Sequence, residues 1–404
     1  MAVLAAAHVC DDANQSFLPA LLPFLVIHRG LDFASAATLI LAANASSSVV
    51  QPAIGWLADK RPMPWLIALG VFLAGAGVAL VGVAPSYPWM LAAAFISGIG
   101  IATFHPEAGR FANFVAGDRK ASGMRWFAAG GNAGFAIGPL FATMALALFG
   151  LSGTLLAVIP VAAIAIVVVL ELPRLRGFHP SKTAAKAPLA IDNWPAFLRL
   201  SLFVTVRSMA FIGLVAFVPL YFTSVLHTSP AVGSIALTIL LGAGVLGTVT
   251  GGPVADRVGR KLVLMWSTGA TALLVLCFTL FTSHVTLIPL AFLGTAAIGF
   301  ALVASQASYI VLGQEYLPNR IGLASGVTLG LAVSLGGFAS PLLGMLADAH
   351  GVSATLYAIA VLCMLALLAG ALLPDDARTR ASGSESMNDA VASVAQGTLV
   401  RAAR

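Results

Sequence analysis

Charged residues are scarce in this sequence. Only 9% of its 404 residues are Asp, Glu, Lys or Arg, whereas 59% are hydrophobic, and the mean hydropathy is +0.98. Soluble globular domains carry roughly a quarter charged residues, so this composition excludes an ordinary soluble domain and predicts a polytopic membrane protein. The net charge of +6 forms no patch, because Lys and Arg fall in short gaps between apolar runs. A nucleic-acid partner is therefore not expected.

The sequence also lacks the patterns of disulfide, metal and nucleotide sites. Its three cysteines, Cys10, Cys277 and Cys363, lie far apart inside apolar runs, so they predict no disulfide framework. Cys and His are scattered without metal-ligand spacing, and no Walker loop is present. We therefore expect no metal, no cofactor and no enzymatic activity. The first apolar run lacks a basic n-region, so no cleavable signal peptide is predicted.

Twelve apolar runs are long enough to cross a bilayer. A hydrocarbon core about 30 Å thick needs roughly 20 apolar residues per helix. The runs are 3–27, 34–58, 64–83, 88–112, 122–148, 151–171, 197–226, 230–255, 261–282, 285–313, 321–348 and 352–373.

The two halves of the chain resemble each other. GWLADKRP at 55–62 matches GPVADRVGRK at 252–261 with an offset of 197, and Pro139 and Pro341 differ by 202. A near-constant offset of half the chain indicates a duplicated unit, as in secondary transporters that bind substrate between repeats. We predict an all-α membrane protein with twelve transmembrane helices in two pseudo-symmetric six-helix bundles. The divisions are an N-terminal bundle (1–171), a cytoplasmic linker (172–195), a C-terminal bundle (196–374) and a disordered cytoplasmic tail (375–404).

Lys and Arg occupy alternate gaps between the runs, and in short loops they favour the cytoplasmic side. The other set of gaps contains only Arg29. This pattern predicts a multi-pass membrane protein with both termini in the cytoplasm. The basic residues of the first set are Lys60, Arg61, Arg119, Lys120, Arg174, Arg176, Lys182, Lys186, Arg257, Arg260, Lys261 and Arg320.

The duplicated charged motif carries a resemblance to a known family. The pattern Gly-x-x-x-Asp-(Arg/Lys)-x-Gly-Arg-(Arg/Lys) is complete in the second half and shortened in the first. With it, residues 1–374 resemble the major facilitator superfamily of transporters. HVCDDANQS at 8–16, SSSVVQPAIGWLADKRPMPW at 46–65, FHPE at 104–107 and GGNAGFAIGPL at 130–140 further resemble the fosmidomycin resistance protein family of proton-driven exporters. The motif residues are Gly55, Asp59, Lys60 and Arg61, then Gly252, Asp256, Arg257, Gly259, Arg260 and Lys261.

Ionisable residues inside apolar runs are costly at bilayer depth, so they are functional candidates. In the fourth run, Glu107 and Arg110 are three residues apart and close enough to pair on one helix face. A buried carboxylate whose partner can change can take up and release a proton. We therefore predict that His105 and Glu107 take part in proton coupling, with a static ion pair as the alternative.

The first run contains two adjacent aspartates. Successive residues of a helix point about 100° apart, so at most one of Asp11 and Asp12 readily faces a cavity. We favour Asp11, because His8 and Gln15 lie at i−3 and i+4 on its face. Which of Asp11, Asp12 and Glu107 is the coupling carboxylate stays open.

Arg207 lies near the middle of the seventh run. Its guanidinium stays charged and suits phosphonate, phosphate or carboxylate oxygens. We predict that Arg207 either binds an anionic substrate or is the counter-ion of Asp11 or Glu107, and the sequence does not separate these roles. Other candidates for the substrate path, which could equally hold helices together by hydrogen bonds, are Arg110, Gln15, Asn132, Gln306 and Tyr309.

Two further motifs are candidates for a role in conformational change. Gly130, Gly134, Gly138 and Pro139 in the fifth run resemble the glycine motif of antiporters in the superfamily, although small residues every four positions also serve ordinary helix packing. The charged motif is predicted to act as a conformational latch, because its carboxylates can pair with Arg or cap a facing helix. The alternative is a solvated loop whose charge sets topology only.

Together with these features, the resemblance implies a proton-coupled secondary transporter of the bacterial inner membrane. It is expected to export a small antibiotic-like compound, such as a phosphonate or another anion, in exchange for protons. Its expected partners are that substrate, protons and the bilayer, and we expect it to function as a monomer. One alternative is a proton-coupled importer of a small organic anion or metabolite. Another is a membrane sensor that transports nothing.

Overall fold

The computed structural model describes residues 1–116, 120–178, 191–282, 287–320, 323–324, 327–328 and 332–374. Helices make up almost all of this part of the chain, and no β-strand occurs in it. The predicted tail (375–404) and most of the predicted linker (179–190) lie outside the described residues. The all-helical fold class is confirmed.

The described residues of the first half form six α-helices and one 3₁₀-helix. The 3₁₀-helix, Gly150–Ala157, replaces the start of the predicted run 151–171, and the following α-helix extends into the predicted linker. The other boundaries differ from the prediction by a few residues. The helices are α1 (Ala2–Arg29), α2 (Phe33–Lys60), α3 (Trp65–Val83), α4 (Tyr87–Ala116), α5 (Lys120–Phe149) and α6 (Val158–Leu175).

In the second half, eight α-helices have described bounds, because two predicted runs are interrupted. The run 285–313 breaks at Ser305, and the run 321–348, as far as it is described, breaks at Phe338. The helices are α7 (Trp194–Ser224), α8 (Pro230–Val258), α9 (Arg260–Thr282), α10 (Ile288–Ala304), α11 (Gln306–Tyr316), α12 (Ala332–Gly337), α13 (Ala339–His350) and α14 (Val352–Ala371).

The break at Ser305 has a local cause. The hydroxyl oxygen of Ser267 on α9 lies 2.6 Å from the carbonyl oxygen of Ala301 and 3.0 Å from the hydroxyl of Ser305. A side chain that engages backbone and hydroxyl groups in this way competes with the helical hydrogen-bond ladder. Hydropathy cannot reveal such a break, because Ser305 is a single residue within an apolar run.

Nine helical stretches of the described chain are long and apolar enough to cross a membrane. One of them, Trp126–Leu175, is 50 residues long and covers most of α5, the 3₁₀-helix and α6. It therefore contains two of the predicted runs. The number twelve and the division into two bundles of six stay predictions.

The hydrophobic core differs between the two ends of the bundle. At the end away from the Lys- and Arg-rich gaps, one core contains residues of both halves, including Leu21, Ile40, Phe217 and Leu343. At the Lys- and Arg-rich end, the described residues form two separate cores. One contains only residues of α1 and α3–α6, and the other only residues from α7 onwards. Among the described residues, the buried cores of the two halves therefore merge at one end and stay separate at the other.

Candidate functional site

Helices α1 and α5 approach each other closely along the predicted glycine motif. A Cβ atom added at Gly130 would lie 2.5 Å from the carbonyl oxygen of Ala5. Cβ atoms at Gly134 and Gly138 would overlap the carbonyl oxygens of Val9 and Ala13, one and two turns further along α1. Because only glycine fits at these contacts, the motif brings the backbone of α5 against that of α1.

Gly131, next in the same helix, makes room for a histidine–aspartate pair. Nε2 of His8 lies 3.3 Å from Oδ2 of Asp12, one helical turn away. A Cβ atom at Gly131 would lie 2.6 Å from both of these atoms. The ring of His8 stacks on Phe127 at 4.1 Å between centroids, and its Nδ1 lies 2.9 Å from the carbonyl oxygen of Phe127. Helix α5 therefore fixes the orientation of this imidazole.

His105 on α4 contacts both aspartates of α1. Its Nδ1 lies 3.4 Å from Oδ2 of Asp11, and its Nε2 lies 3.3 Å from Oδ1 of Asp12. The described ion contact of His8 is with Asp12, at i+4, and not with Asp11. Both aspartates contact the neighbouring helix α4 through His105, and the expectation that at most one of them faces a cavity stays a prediction. We call His8, Asp11, Asp12 and His105 the histidine–aspartate cluster.

The hydrogen bonds of the two imidazoles orient their second nitrogens towards Asp12. Nδ1 of His8 faces the carbonyl oxygen of Phe127, and Nδ1 of His105 lies 3.0 Å from that of Ile101. A carbonyl oxygen only accepts, so each of these contacts needs an Nδ1–H donor. Each Nε2 then faces an oxygen of Asp12. A proton taken up at either Nε2 would therefore face a carboxylate.

Burial differs among the four side chains. That of Asp11 is fully buried, while those of His8, Asp12 and His105 are 10%, 13% and 26% exposed. His105 is thus the most accessible member of the cluster. One ligand atom each from His8, Asp12 and His105 lies within 4.8 Å of the others. Three such atoms are one fewer than a closed tetrahedral zinc site uses, and we assign no metal to them.

Glu107 and Arg110 lie on the same helix as His105, one turn towards the Lys- and Arg-rich end. One oxygen of Glu107 accepts a hydrogen bond from the backbone N–H of Met63, between α2 and α3. The other lies 3.9 Å from Nη1 of Arg110, as the spacing predicts, and the side chain of Glu107 is fully buried. Glu107 therefore attaches the α2–α3 connection to α4, a contact that the sequence did not indicate.

Arg207 is buried in the second half of the chain. Its guanidinium donates to the carbonyl oxygen of Leu302 on α10 and lies over the ring of Tyr309 on α11, 5.2 Å from the centroid. The structure describes no ion pair between Arg207 and Asp11 or Glu107. In the described contacts of this conformation, Arg207 therefore does not act as the counter-ion of either carboxylate. Its contact with Tyr309 does join two of the predicted substrate-path residues.

The remaining predicted substrate-path residues are spread over the molecule. Gln15 is partly exposed on α1, one turn beyond Asp11, and Gln306 is partly exposed at the start of α11. Asn132 on α5 is exposed. None of the three has a side-chain hydrogen bond in the described contacts, so each is free to meet a ligand, and none belongs to the histidine–aspartate cluster.

The charged motif of the second half lies mostly on helices and not in a loop, since α8 ends at Val258 and α9 begins at Arg260. Gly259 between them has φ +102°, which favours glycine. Arg260 lies 2.6 Å from Oε1 of Glu315 on α11 and 3.7 Å from Oδ1 of Asp256. Lys261 donates to the carbonyl oxygen of Leu373, just after α14.

The motif's described ion pairs and hydrogen bonds thus stay within the second half. In the first half, Gly55 and the backbone of Asp59 and Lys60 belong to α2. The side chains of Asp59 and Lys60 lie outside the described part, so their predicted role as a latch is not addressed by the structure.

Comparison with known sequences agrees with this geometry. The family model of the Major Facilitator Superfamily matches residues 4–341 and 226–403. The chain belongs to the Major Facilitator Superfamily. It is 31% identical over 387 residues to the uncharacterized MFS-type transporter YfnC of Bacillus subtilis, covering 94% of this chain and 93% of that protein. It is also 31% identical over 385 residues to the fosmidomycin resistance protein of Escherichia coli, covering 93% of each.

Solved structures show the same fold for this major facilitator transporter. A bacterial homologue of the human lysosomal transporter Spinster, in an inward-facing and occupied conformation, has a TM-score of 0.79 at 15% identity. The alignment covers 93% of this chain and 96% of that one. The nucleoside transporter NupG has a TM-score of 0.70 at 16% identity, covering 92% of this chain and 98% of that one. The chain is a multi-pass membrane transporter of small molecules and not an enzyme.

Sequence reasoning missed the parts that complete the transporter's cluster. Asp12 was named only as a rival of Asp11, Gly131 only as one of the glycines of the fifth run, and Phe127 was not singled out. The spacing of four between His8 and Asp12 was a usable signal, since i and i+4 share a helix face. Nothing in the sequence indicated that α4 would bring His105 between both aspartates.

Proposed function

We propose that this transporter exports a small, anionic, antibiotic-like compound such as a phosphonate, in exchange for protons. The family is established, and one relative at 31% identity is a fosmidomycin resistance protein. That relative's name supports an antibiotic phosphonate as the substrate class. The observation that carries the proton-coupled mechanism is the contact of His105 with both aspartates.

The histidine–aspartate cluster is suited to carrying the exchanged proton. A proton held on an imidazole of the cluster offsets negative charge of the buried carboxylates. Removal of one proton leaves an uncompensated negative charge, which favours a rearrangement that brings another cation or water to the site. Asp11 and His105 are the predicted carriers, and we add Asp12 and His8, because they share the same protons. Glu107, the third predicted proton carrier, instead links α4 to the segment between α2 and α3. It can therefore transmit a rearrangement of the cluster to that segment.

Arg207 supplies the positive charge that an anionic substrate requires. It stays ionised, it is held by Leu302 and Tyr309, and the structure describes no carboxylate partner for it. A phosphonate can accept two hydrogen bonds from one guanidinium, which gives orientation as well as attraction. We therefore assign substrate binding to Arg207 with Tyr309 beside it, and to Gln306, three positions before Tyr309 on α11. We assign proton binding to α1 and α4.

The separate cores at the Lys- and Arg-rich end support a conformation that is open on that side. If those gaps are cytoplasmic, as the positive-inside rule predicts, both termini lie in the cytoplasm of a bacterial cell and the site opens inward. Export then proceeds by alternating access: substrate enters from the cytoplasm, the halves rock, and protonation from outside promotes its release. A monomer contains every group that this cycle uses.

Fosmidomycin uptake into inverted membrane vesicles tests the proposal. Vesicles with wild-type protein should accumulate the drug when their interior is acidified, and an uncoupler should abolish the accumulation. Accumulation in right-side-out vesicles instead would identify an importer and contradict export. No gradient-dependent flux in either orientation, with expression confirmed, would show that this drug is not the substrate.

A further inference from the structure

The N-terminus of α2 is capped from the other half of the molecule. The first four backbone N–H groups of an α-helix have no partner within the helix. In α2, the N–H groups of Phe33 and Ala34 donate to Oδ1 and Oδ2 of Asp348, at 2.8 and 2.9 Å. Those of Ser35 and Ala36 donate to the side chain and carbonyl of Asp32, at 2.6 and 3.0 Å. Two of the four therefore depend on Asp348, near the end of α13.

We propose that Asp348 and the first turn of α2 form a latch that holds the two halves together at the end away from the Lys- and Arg-rich gaps. The latch opens each time the transporter exposes its site on that side. This role goes beyond the proposed substrate and proton chemistry. It uses the alternating access of the proposed function, but it does not depend on which compound is carried.

The surrounding packing makes the cap a contact between halves rather than a local turn. A Cβ atom at Gly344 on α13 would lie 2.5 Å from Cα of Ala34. A second glycine, Gly337 at the end of α12, faces the side chain of Asn44 on the same helix α2. These close approaches bring the Asp348 carboxylate onto the axis of α2, where the helix dipole favours a negative charge.

The chemistry of the cap suits a contact that must break repeatedly. Asp348 is exposed, so water can replace it at the two N–H groups when the halves part. Opening therefore costs only the difference in free energy between N–H groups capped by a carboxylate and the same groups bound to water. It does not leave buried N–H groups without a hydrogen-bond partner. A second link between halves at this end, from the Ser234 hydroxyl to the carbonyl oxygen of Ala20 at 2.8 Å, is buried. It would be harder to exchange for water.

Distances between spin labels at Ser86→Cys and His350→Cys measure the opening of this end. Both positions are exposed, on opposite halves, and the labels require a background without Cys10, Cys277 and Cys363. Asp348→Ala should raise the ratio of the population with a long label–label distance to the population with a short one. The expected rise is about threefold or more, as for loss of a charged cap. Asp348→Asn, which keeps the shape and one acceptor oxygen, should give a smaller rise.

Asp32→Ala is the matched control, because it removes a cap from the same helix turn without crossing between halves. Its ratio should equal that of the wild type. Gly344→Ala, which forces α13 away from α2, should shift the ratio in the same direction as Asp348→Ala. An unchanged ratio in Asp348→Ala and Asp348→Asn overturns the latch, and so does an equal shift in Asp32→Ala. Failure of fosmidomycin export with the distance shift intact would reject the proposed substrate and leave the latch standing.

Discussion

Nε2 of His105 lies 3.3 Å from Oδ1 of Asp12, while Nδ1 of the same ring lies 3.4 Å from Oδ2 of Asp11. One side chain of α4 thus bridges two adjacent carboxylates of α1. Any change in the protonation of His105 alters its attraction to both. Because α1 and α4 contact each other within the first half, this change acts on helix packing as well as on charge.

Gly131→Ala should disrupt the histidine–aspartate cluster without introducing a charge. The new methyl would lie 2.6 Å from both His8 Nε2 and Asp12 Oδ2, so the pair must separate. We expect a loss of about 1–3 kcal/mol in the free energy of unfolding, as for other overpacked sites, and loss of proton-driven transport. The matched control is Gly242→Ala on α8, where a Cβ meets nothing within 4 Å. Full proton-driven transport by Gly131→Ala would contradict this geometry.

Arg207→Ala should weaken substrate binding by about tenfold or more, the usual effect of losing a charged hydrogen bond. Binding of fosmidomycin to purified protein, measured by calorimetry, tests this. Arg199→Ala on the same helix is the control, because Arg199 is exposed and its described contact is the carbonyl oxygen of Leu372 at 3.3 Å. If Arg207→Ala binds the drug as tightly as Arg199→Ala does, Arg207 is not the anion site.

Glu107→Ala should destabilise the protein far more than Glu171→Ala. Both residues pair with an arginine three positions later, but Glu107 is fully buried whereas Arg174, the partner of Glu171, is 79% exposed. Removing one partner of a buried ion pair costs about 3–5 kcal/mol, while exposed pairs contribute about 0–1 kcal/mol. Unfolding curves of both variants in detergent measure the two values. Equal losses would show that Glu107 does not hold the α2–α3 connection.

The Asp32 cap predicts a pH dependence at the end of the protein that contains Asp348. Hydrogen bonds from the side chain and backbone of Ser35 lower the pKa of Asp32 below its ordinary value of 3.8. A lowered pKa in the folded state means that the cap contributes stability above pH 3.8, and the contribution is lost as the pH falls through the folded-state value.

The stability difference between wild type and Asp32→Asn, which does not titrate, should therefore shrink below pH 3.8. Unfolding curves of both proteins across this range measure the difference. A difference that stays constant with pH would contradict the cap.

The all-helical membrane fold could be predicted from the sequence because composition, hydropathy and the internal repeat are properties of long stretches. The glycine motif could be placed on α5 for the same reason. Breaks such as the one at Ser305 could not be predicted, because they depend on one hydroxyl of a neighbouring helix. The contact of Glu107 with Met63 could not be predicted either, because its donor is a backbone N–H, which every residue except proline has.

The site was only partly predictable for a related reason. Helical spacing correctly indicated that Glu107 and Arg110 pair, but it did not decide that His8 contacts Asp12. Contacts between helices, such as that of His105 with both aspartates, depend on the rotation of α4 against α1. A one-dimensional pattern does not contain that rotation.

Substrate-driven proton movement in proteoliposomes is the most direct test of the central claim, that the histidine–aspartate cluster carries the exchanged proton. With a pH-sensitive dye inside, addition of fosmidomycin should produce proton flux in wild type. His105→Gln and Asp11→Asn should produce none while still exchanging labelled for unlabelled drug. His28→Gln, which changes an exposed histidine at the other end of α1, should behave as wild type. Wild-type proton flux in His105→Gln and Asp11→Asn would contradict the account.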